Sequence, residues 1–339
     1  MQSFIQPKLT LELGRTYMKK IRAECQKQAL EVSSPSVFLG KLFLFSATLL
    51  LLMILSWQSS SVAVWVLLSI AMSLVLSQLA FIGHDAGHNA IPGGNGVNQF
   101  FGSTAMTLLC GLAFNEWKAR HRAHHQYCQQ EEKDPDMAIE SVASVTRDSY
   151  LDKSAFFRWI GKFQYIYLWF LALAFGHSQR HLSQWGAITH LRSFKLDNFM
   201  ILLHYTMWLF IPLGLGVEPL TVFATYLIPV TILGLHLASI FWINHIGMPL
   251  YSNKLDVSNF ERQVVCSRTV SNPRWMDWFF GGLNYQIEHH LIPSIPSCNL
   301  NKLQSIVKPI VKSSGLPYTN PSWKQTMIEI KSHFYHVAR

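Results

Sequence analysis

Apolar and polar residues alternate in long blocks along this chain rather than at the short periods of a soluble domain. Uncharged, apolar runs occupy residues 42–57, 62–82, 199–215 and 220–243. At 1.5 Å of rise per residue, runs of this length are close to what a hydrocarbon layer about 30 Å thick requires of a helix. Two further apolar stretches, 100–114 and 163–175, are shorter and suit interfacial or re-entrant segments rather than spans; both are expected to stay on the cytoplasmic side, in the interface. The tail beyond Ser297 has another character: Leu300, Leu303, Ile306, Val307 and Ile310 follow the 3–4 spacing of an amphipathic helix. Ser33–Ser36, with its proline at 35, reads as a turn and helix start before the first run.

Charge turns these runs into a topology. All 28 Lys and Arg residues lie in 1–41, 83–195 and 250–339, and none lies in 42–82 or 196–249. Two helical hairpins whose outer loops carry no Lys or Arg account for this, and the positive-inside rule puts the three basic segments in the cytoplasm. The expected fold is an all-α integral membrane protein with four transmembrane helices in two hairpins and a cytoplasmic helical cap. The expected division is an N-terminal cytoplasmic segment, 1–38, a membrane domain, 39–310, and a C-terminal tail, 311–339. Only 14% of the chain is charged and half is hydrophobic, against about 25% charged in ordinary soluble domains. The net charge of +9 suits anionic lipid headgroups or an acidic redox partner. Nucleic acid is not expected as a partner, because the basic residues are scattered among membrane runs and histidine clusters. Cys25, Cys110, Cys128, Cys266 and Cys298 show no ligand-type pairing and read as structural.

The chemistry lies in histidine clusters at the cytoplasmic ends of the runs. His84 and His88 are one helical turn apart; His121, His124 and His125 share a face, as do Gln286, His289 and His290; His245 ends the fourth run. Eight histidines exceed one four-coordinate zinc site and fit two metal ions with room for a reactive oxygen species. Imidazole suits iron, copper, nickel and zinc alike, so residue type alone leaves the metal open. No Glu is followed by His at the third position, which excludes the Glu-x-x-His di-iron design of soluble bundles. Asp85, Asp134, Asp136 and Glu288 are available to orient imidazole rings. His177 and His181 read as surface or headgroup residues, and His204 and His236 as hydrogen-bonding residues between helices.

The boxes His84-x-x-x-His88, His121-x-x-His124-His125 and Gln286-x-x-His289-His290, with Glu116-Trp117 and Asp134-Pro135-Asp136 around the second, resemble those of the membrane fatty acid desaturases. The run Gly282 to Pro293 is similar to the subgroup of acyl-lipid and front-end desaturases. The resemblance covers residues 40–310. It implies a non-haem centre of two iron ions that activates O2 and removes two hydrogens from an acyl chain. Its iron ligands would be His84, His88, His121, His124, His125, His245, His289 and His290, with Gln286 at a position many relatives fill with His. Gln286 could bind directly, through a water, or by hydrogen-bonding a ligand. The substrate would be an acyl chain held on a lipid, coenzyme A or a carrier protein, and the electrons would come from ferredoxin or cytochrome b5. The chain has no His-Pro-Gly-Gly haem segment, so that donor is expected to be a separate protein. The alternatives are a related di-iron hydroxylase or oxygenase and, from another class, a zinc-dependent membrane hydrolase.

Overall fold

The structure, a computed structural model, describes residues 5–30, 34–137 and 142–339. Of the expected turn and helix start at Ser33–Ser36, Ser33 lies outside them, while Ser34 is the N-cap residue and Pro35 opens the helix Pro35–Gln58. Among the described residues the chain is helical, with three isolated β-bridges. The helices are, in order, α1 (Leu11–Lys27), α2 (Pro35–Gln58), α3 (Val62–Gly87), α4 (Gly94–Gly102), α5 (Phe114–Gln126), α6 (Arg147–Leu151), α7 (Ala155–Gly161) and α8 (Gln164–Thr189). They continue with α9 (Lys195–Tyr205), α10 (Ile211–Gly214), α11 (Pro219–His245), α12 (Asn259–Val265), α13 (Trp275–Phe279), α14 (Gln286–Leu291), α15 (Leu300–Ser313) and α16 (Trp323–Val337).

Four helical stretches are long and apolar enough to cross a membrane: Pro35–Gln58, Val62–Gly87, Lys195–Gly214 and Pro219–His245. The protein is a multi-pass membrane protein, and each stretch contains or overlaps one of the runs read from the sequence. α2 and α11 run past their apolar blocks at both ends, whereas α3 begins with its block, where Ser61 Oγ accepts from Val64 N as the cap. Residues Phe43 and Leu67 are 75% and 66% exposed, as lipid-facing side chains are. Two serines inside these helices donate to the preceding turn, Ser46 to Leu42 O at 2.6 Å and Ser69 to Trp65 O at 3.0 Å, so neither hydroxyl needs water.

The chain divides into two compact units, one of residues 1–31, 120–170 and 239–339, the other of residues 32–119 and 171–238. The second is the membrane unit. Its core gathers Leu49, Met53, Met72, Leu76, Phe101, Phe114 and Trp208. Two helices in it meet without side chains between them: a Cβ on Gly234 would lie 2.7 Å from Gly176 N and 2.8 Å from Ala172 O. Backbone contact of this kind is how membrane helices gain packing where water drives nothing together.

The stretch at 100–114, expected to be interfacial or re-entrant, is sharply bent. A helix from Gly94 to Leu109, its last seven residues widened to π geometry, meets α5 at 108°. Gly111, with φ +73°, makes the corner, and α8 stabilises it. Arg180 Nε and Nη2 donate to Cys110 O at 3.0 and 2.6 Å, and Gln184 Nε2 donates to Gly111 O at 2.7 Å. On the far side, the first amides of α5 are satisfied by side chains: Asp197 accepts from Asn115 N at 2.9 Å and Glu116 N at 3.1 Å, and Thr107 Oγ1 from Phe114 N at 3.0 Å. A carboxylate there also complements the positive end of the helix dipole. The second expected interfacial stretch, 163–175, forms the start of the 26-residue α8.

The other unit packs α1 against α12 and α15, which in turn pack on α14. Ile21, Cys25, Phe260, Ile287, Leu291, Leu303 and Val307 form its core, with all five apolar positions of the amphipathic tail buried. Glu261 ties the start of the chain to this core, accepting from Lys8 N at 2.7 Å and Leu9 N at 2.8 Å.

Candidate metal centre

In the unit of residues 1–31, 120–170 and 239–339, three helices carry the histidines of the centre: α5 at its end, α11 at its last residue, and α14. The helix α14 is six residues long and entirely buried. Its approach needs glycine, since Gly281 and Gly282 have φ of +58° and +76°, and a Cβ on Gly282 would lie 2.6 Å from Ser297 O.

The ring nitrogens converge in two groups. In the first, His125 Nε2 lies 3.2 Å from His121 Nε2 and 3.2 Å from His289 Nε2. In the second, ligand-type atoms of His124, Cys128, His245 and His290 lie within 4.8 Å of one another. Each histidine of this second group is held from behind. His124 Nδ1 donates to Asp134 Oδ1 at 2.8 Å, with Asp136 Oδ2 at 3.3 Å. His245 Nδ1 donates to Cys266 O at 3.1 Å, and His290 Nδ1 to Gln263 Oε1 at 2.8 Å. Three Nδ1–H groups directed outward leave three Nε2 lone pairs directed inward, the arrangement that fixes a metal-binding tautomer.

Gln286 joins the same group. Its Nε2 donates to His245 Nε2 at 3.0 Å and His290 Nε2 at 2.9 Å, while its Oε1 accepts from Asn244 Nδ2 at 3.0 Å. Its amide therefore already recognises both rings as acceptors.

Electrostatics divide the rings. Burial holds His290 well below the ordinary histidine value, with further lowering from His125, His245 and His124 beside it, so it stays neutral. Burial acts the same way on His124 but is outweighed by Asp136 and Asp134, which raise it to about 9. A carboxylate pair that favours a proton on that ring also favours a metal cation in the proton's place. Burial and the neighbouring Cys266 push the Cys128 thiol well up, and its Sγ stands 3.7 Å from His245 Nδ1, the nitrogen already bound to Cys266 O. Cys128 is a neutral packing group here.

The donor set fits a transition metal ion: inward Nε2 atoms on three imidazoles, one of them (His124) with a proton that a cation would replace, and outward Nδ1–H bonds to a carboxylate, an amide and a carbonyl. Glu288 has another task. Its carboxylate accepts from Thr269 Oγ1 at 2.5 Å and Tyr318 OH at 2.6 Å and is fully buried, fastening α14 from behind. In the membrane unit, His84 and His88 end α3 with ring centroids 4.8 Å apart, and His84 and the adjacent Asp85 are buried. His204, also there, bridges Leu108 O at 2.8 Å and Tyr226 OH at 3.1 Å, the inter-helix role expected of it. His177 Nε2 lies 2.9 Å from Thr231 Oγ1, and His181 is exposed. Residues absent from the sequence reading of the centre are Gln263, Asn244 and the Cys266 carbonyl. None carries a local signal, since an amide or a carbonyl becomes an orienting group only through its place in the fold.

Comparison with known proteins agrees with this chemistry. The fatty acid desaturase family model matches residues 31–322, so the chain belongs to the fatty acid desaturase family. Among individual relatives it is similar to Delta(8)-fatty-acid desaturase 1 of Arabidopsis thaliana, 28% identical over 92% of this chain and 72% of the relative. It is also similar to an acyl-lipid (9-3)-desaturase of Borago officinalis, at 30% identity over 75% of this chain and 59% of the relative. A Delta 8-(E)-sphingolipid desaturase of Kluyveromyces lactis is 27% identical, with 80% of this chain and 51% of the relative covered. Two of these three alignments thus span less than two thirds of the relative's own length.

Proposed function

We propose that the protein is an O2-dependent fatty acid desaturase with two iron ions held by His84, His88, His121, His124, His125, His245, His289 and His290. Family membership supports the reaction. The observation that carries the metal reading is the group of three inward Nε2 atoms of His124, His245 and His290, each with its Nδ1 bonded outward. When bound, iron supplies the O2 activation and the hydrogen abstraction that an unactivated methylene pair requires. One O2, two electrons and two protons are consumed, one carbon–carbon double bond forms, and two waters leave.

The chain's own residues hold this chemistry in place. Asp134 and Gln263 fix ring orientation through Nδ1. Phe241 lies against His124 and His245, with ring centroids 6.1 and 5.3 Å away, and keeps water from that side. Gln286 donates to Nε2 of His245 and to Nε2 of His290 and so positions both rings. The distribution of Lys and Arg supports an active site on the cytoplasmic side, and ferredoxin or cytochrome b5 supplies the electrons.

Expression in a host of known lipid composition, with gas chromatography of its fatty acids, tests the reaction; metal analysis of the purified protein tests the centre. A new unsaturated fatty acid together with two irons per chain is expected. One zinc per chain and activity without O2 would establish a hydrolase instead.

A further inference from the structure

The unit that carries the centre also contains an apolar cavity of about 440 Å³, within the range of small-molecule sites. Its walls come from three helices: Leu168 and Trp169 at the start of α8, Trp242 near the end of α11, and Met327, Ile330 and Phe334 on one face of α16. Lys324 and Lys331, seven residues apart on α16, also line it, and no carboxylate does. Glu329, the acid between them, is paired with Arg268 at 2.9 Å. The site is built rather than loose. Ser322 caps α16, Gln164 Nε2 donates to Phe334 O at 3.1 Å, and Arg147 Nη1 donates to Val337 O at 3.1 Å.

Two further facts relate the cavity to its surroundings. Trp242 is buried against Trp169, with ring centroids 5.0 Å apart, and stands one helical turn before His245 on α11. Along α8 the lining residues alternate with Ile166 and Phe170, 46% and 68% exposed, and Phe163 just ahead of the helix is also exposed. A row of outward aromatic and aliphatic side chains beside an apolar cavity suits entry from lipid rather than from water.

We propose that this cavity binds an acyl chain of a membrane phospholipid, with the lipid phosphate at Lys324 and Lys331 and the chain running past Met327 towards Trp242. The inference rests on the desaturase reading for the claim that this chain is substrate. The occupant is a phospholipid because an apolar cavity, a pair of unpaired-acid lysines and a lipid-facing border match the two ends of such a molecule.

The test uses the full purified chain in phosphatidylcholine vesicles doped with a phosphatidylcholine bearing a diazirine in one acyl chain. After illumination, peptide mass spectrometry is expected to find label on the segments holding Met327 and Trp242. Met327→Trp, which fills the cavity, is expected to lower that label. The Lys324→Gln/Lys331→Gln double variant, both changes at exposed positions, is expected to lower it roughly tenfold, the size of a lost charged hydrogen bond. An equally acylated diazirine diacylglycerol, which lacks phosphate, is expected to label wild type as weakly as the phospholipid labels the double variant. Label confined to other segments would overturn the site. Undiminished label in the double variant, or loss of label on adding acyl-coenzyme A to the aqueous phase, would overturn the phospholipid assignment. Label elsewhere in a protein that still forms double bonds removes only this inference. A labelled cavity in a protein that forms none keeps the lipid site and removes the desaturase reading.

Discussion

His124 Nδ1 and Asp134 Oδ1 are 2.8 Å apart, both side chains 2% exposed, and the other Asp134 oxygen accepts from Gln129 N at 2.8 Å. The carboxylate is thus fixed on one side by backbone and fixes imidazole on the other. Asp134→Asn keeps the shape but can present an N–H where an acceptor is needed. It is expected to weaken iron binding about 10–100-fold, as loss of such orienting partners does, measured as iron retained per chain after dialysis against a chelator. Full retention would assign Asp134 to the loop alone.

Gln286 touches two imidazole nitrogens through one amide. Gln286→Leu leaves His245 and His290 without that donor and is expected to lose most product, with the protein still folded by thermal melting. Gln286→His can offer a ring nitrogen at the same place and is expected to retain iron. Equal activity in wild type and Gln286→Leu would make the contact incidental.

Replacement of His289 by Ala removes a nitrogen 3.2 Å from His125 Nε2 and is expected to abolish product and reduce bound iron. His181 is exposed on α8, and His181→Ala is expected to leave both near wild type. The paired measurement separates site histidines from bystanders, and retained activity in His289→Ala would take that residue out of the ligand set.

Asp197 accepts from two backbone amides at the start of α5 and from Asn115 Nδ2 at 2.9 Å. Asp197→Ala leaves those donors without an acceptor and is expected to cost about 1–2 kcal/mol, the upper range for a lost helix cap. A drop in melting temperature in detergent would show it. Because α5 also bears His121, His124 and His125, iron content is expected to fall as well.

Acid should weaken the protein through His333. Burial, with a smaller contribution from Arg268, holds this ring down at about 4 from 6.5, while the Val145 backbone partly offsets both. The unfolded chain therefore binds a proton at a pH where the folded one does not. The contribution is fully present above 6.5, declines as pH falls from 6.5 towards about 4, and is gone below that. His333→Gln is expected to flatten the fall of melting temperature across that window. An unchanged pH profile would mean that other groups govern acid unfolding.

Much of this is legible in the sequence because a bilayer and a metal impose long-range patterns on it. The four spans announce themselves by length and by the absence of charge, and the box histidines by turn spacing. Leu300, Leu303 and Val307 show the buried face of α15 for the same reason of period. What could not be read depends on pairings across the chain. The corner at Gly111 needs Arg180 and Gln184, some seventy residues later. His290 takes its orientation from Gln263, whose amide has no distinguishing neighbours in sequence. Glu288 sits beside two box histidines, yet its carboxylate points to Thr269 and Tyr318, since adjacent residues on a helix face different ways.

The contact of Gly176 with Gly234 has a consequence for how this protein tolerates change. Each is already the smallest residue available, and each faces the other's backbone. A methyl group added to one cannot be accommodated by trimming its partner, because nothing remains to trim. Suppressors of a substitution at either position would have to arise elsewhere along the two helices, by shifting one of them bodily. The crossing is a site where variation is one-way: easily lost, and not restored from the facing residue.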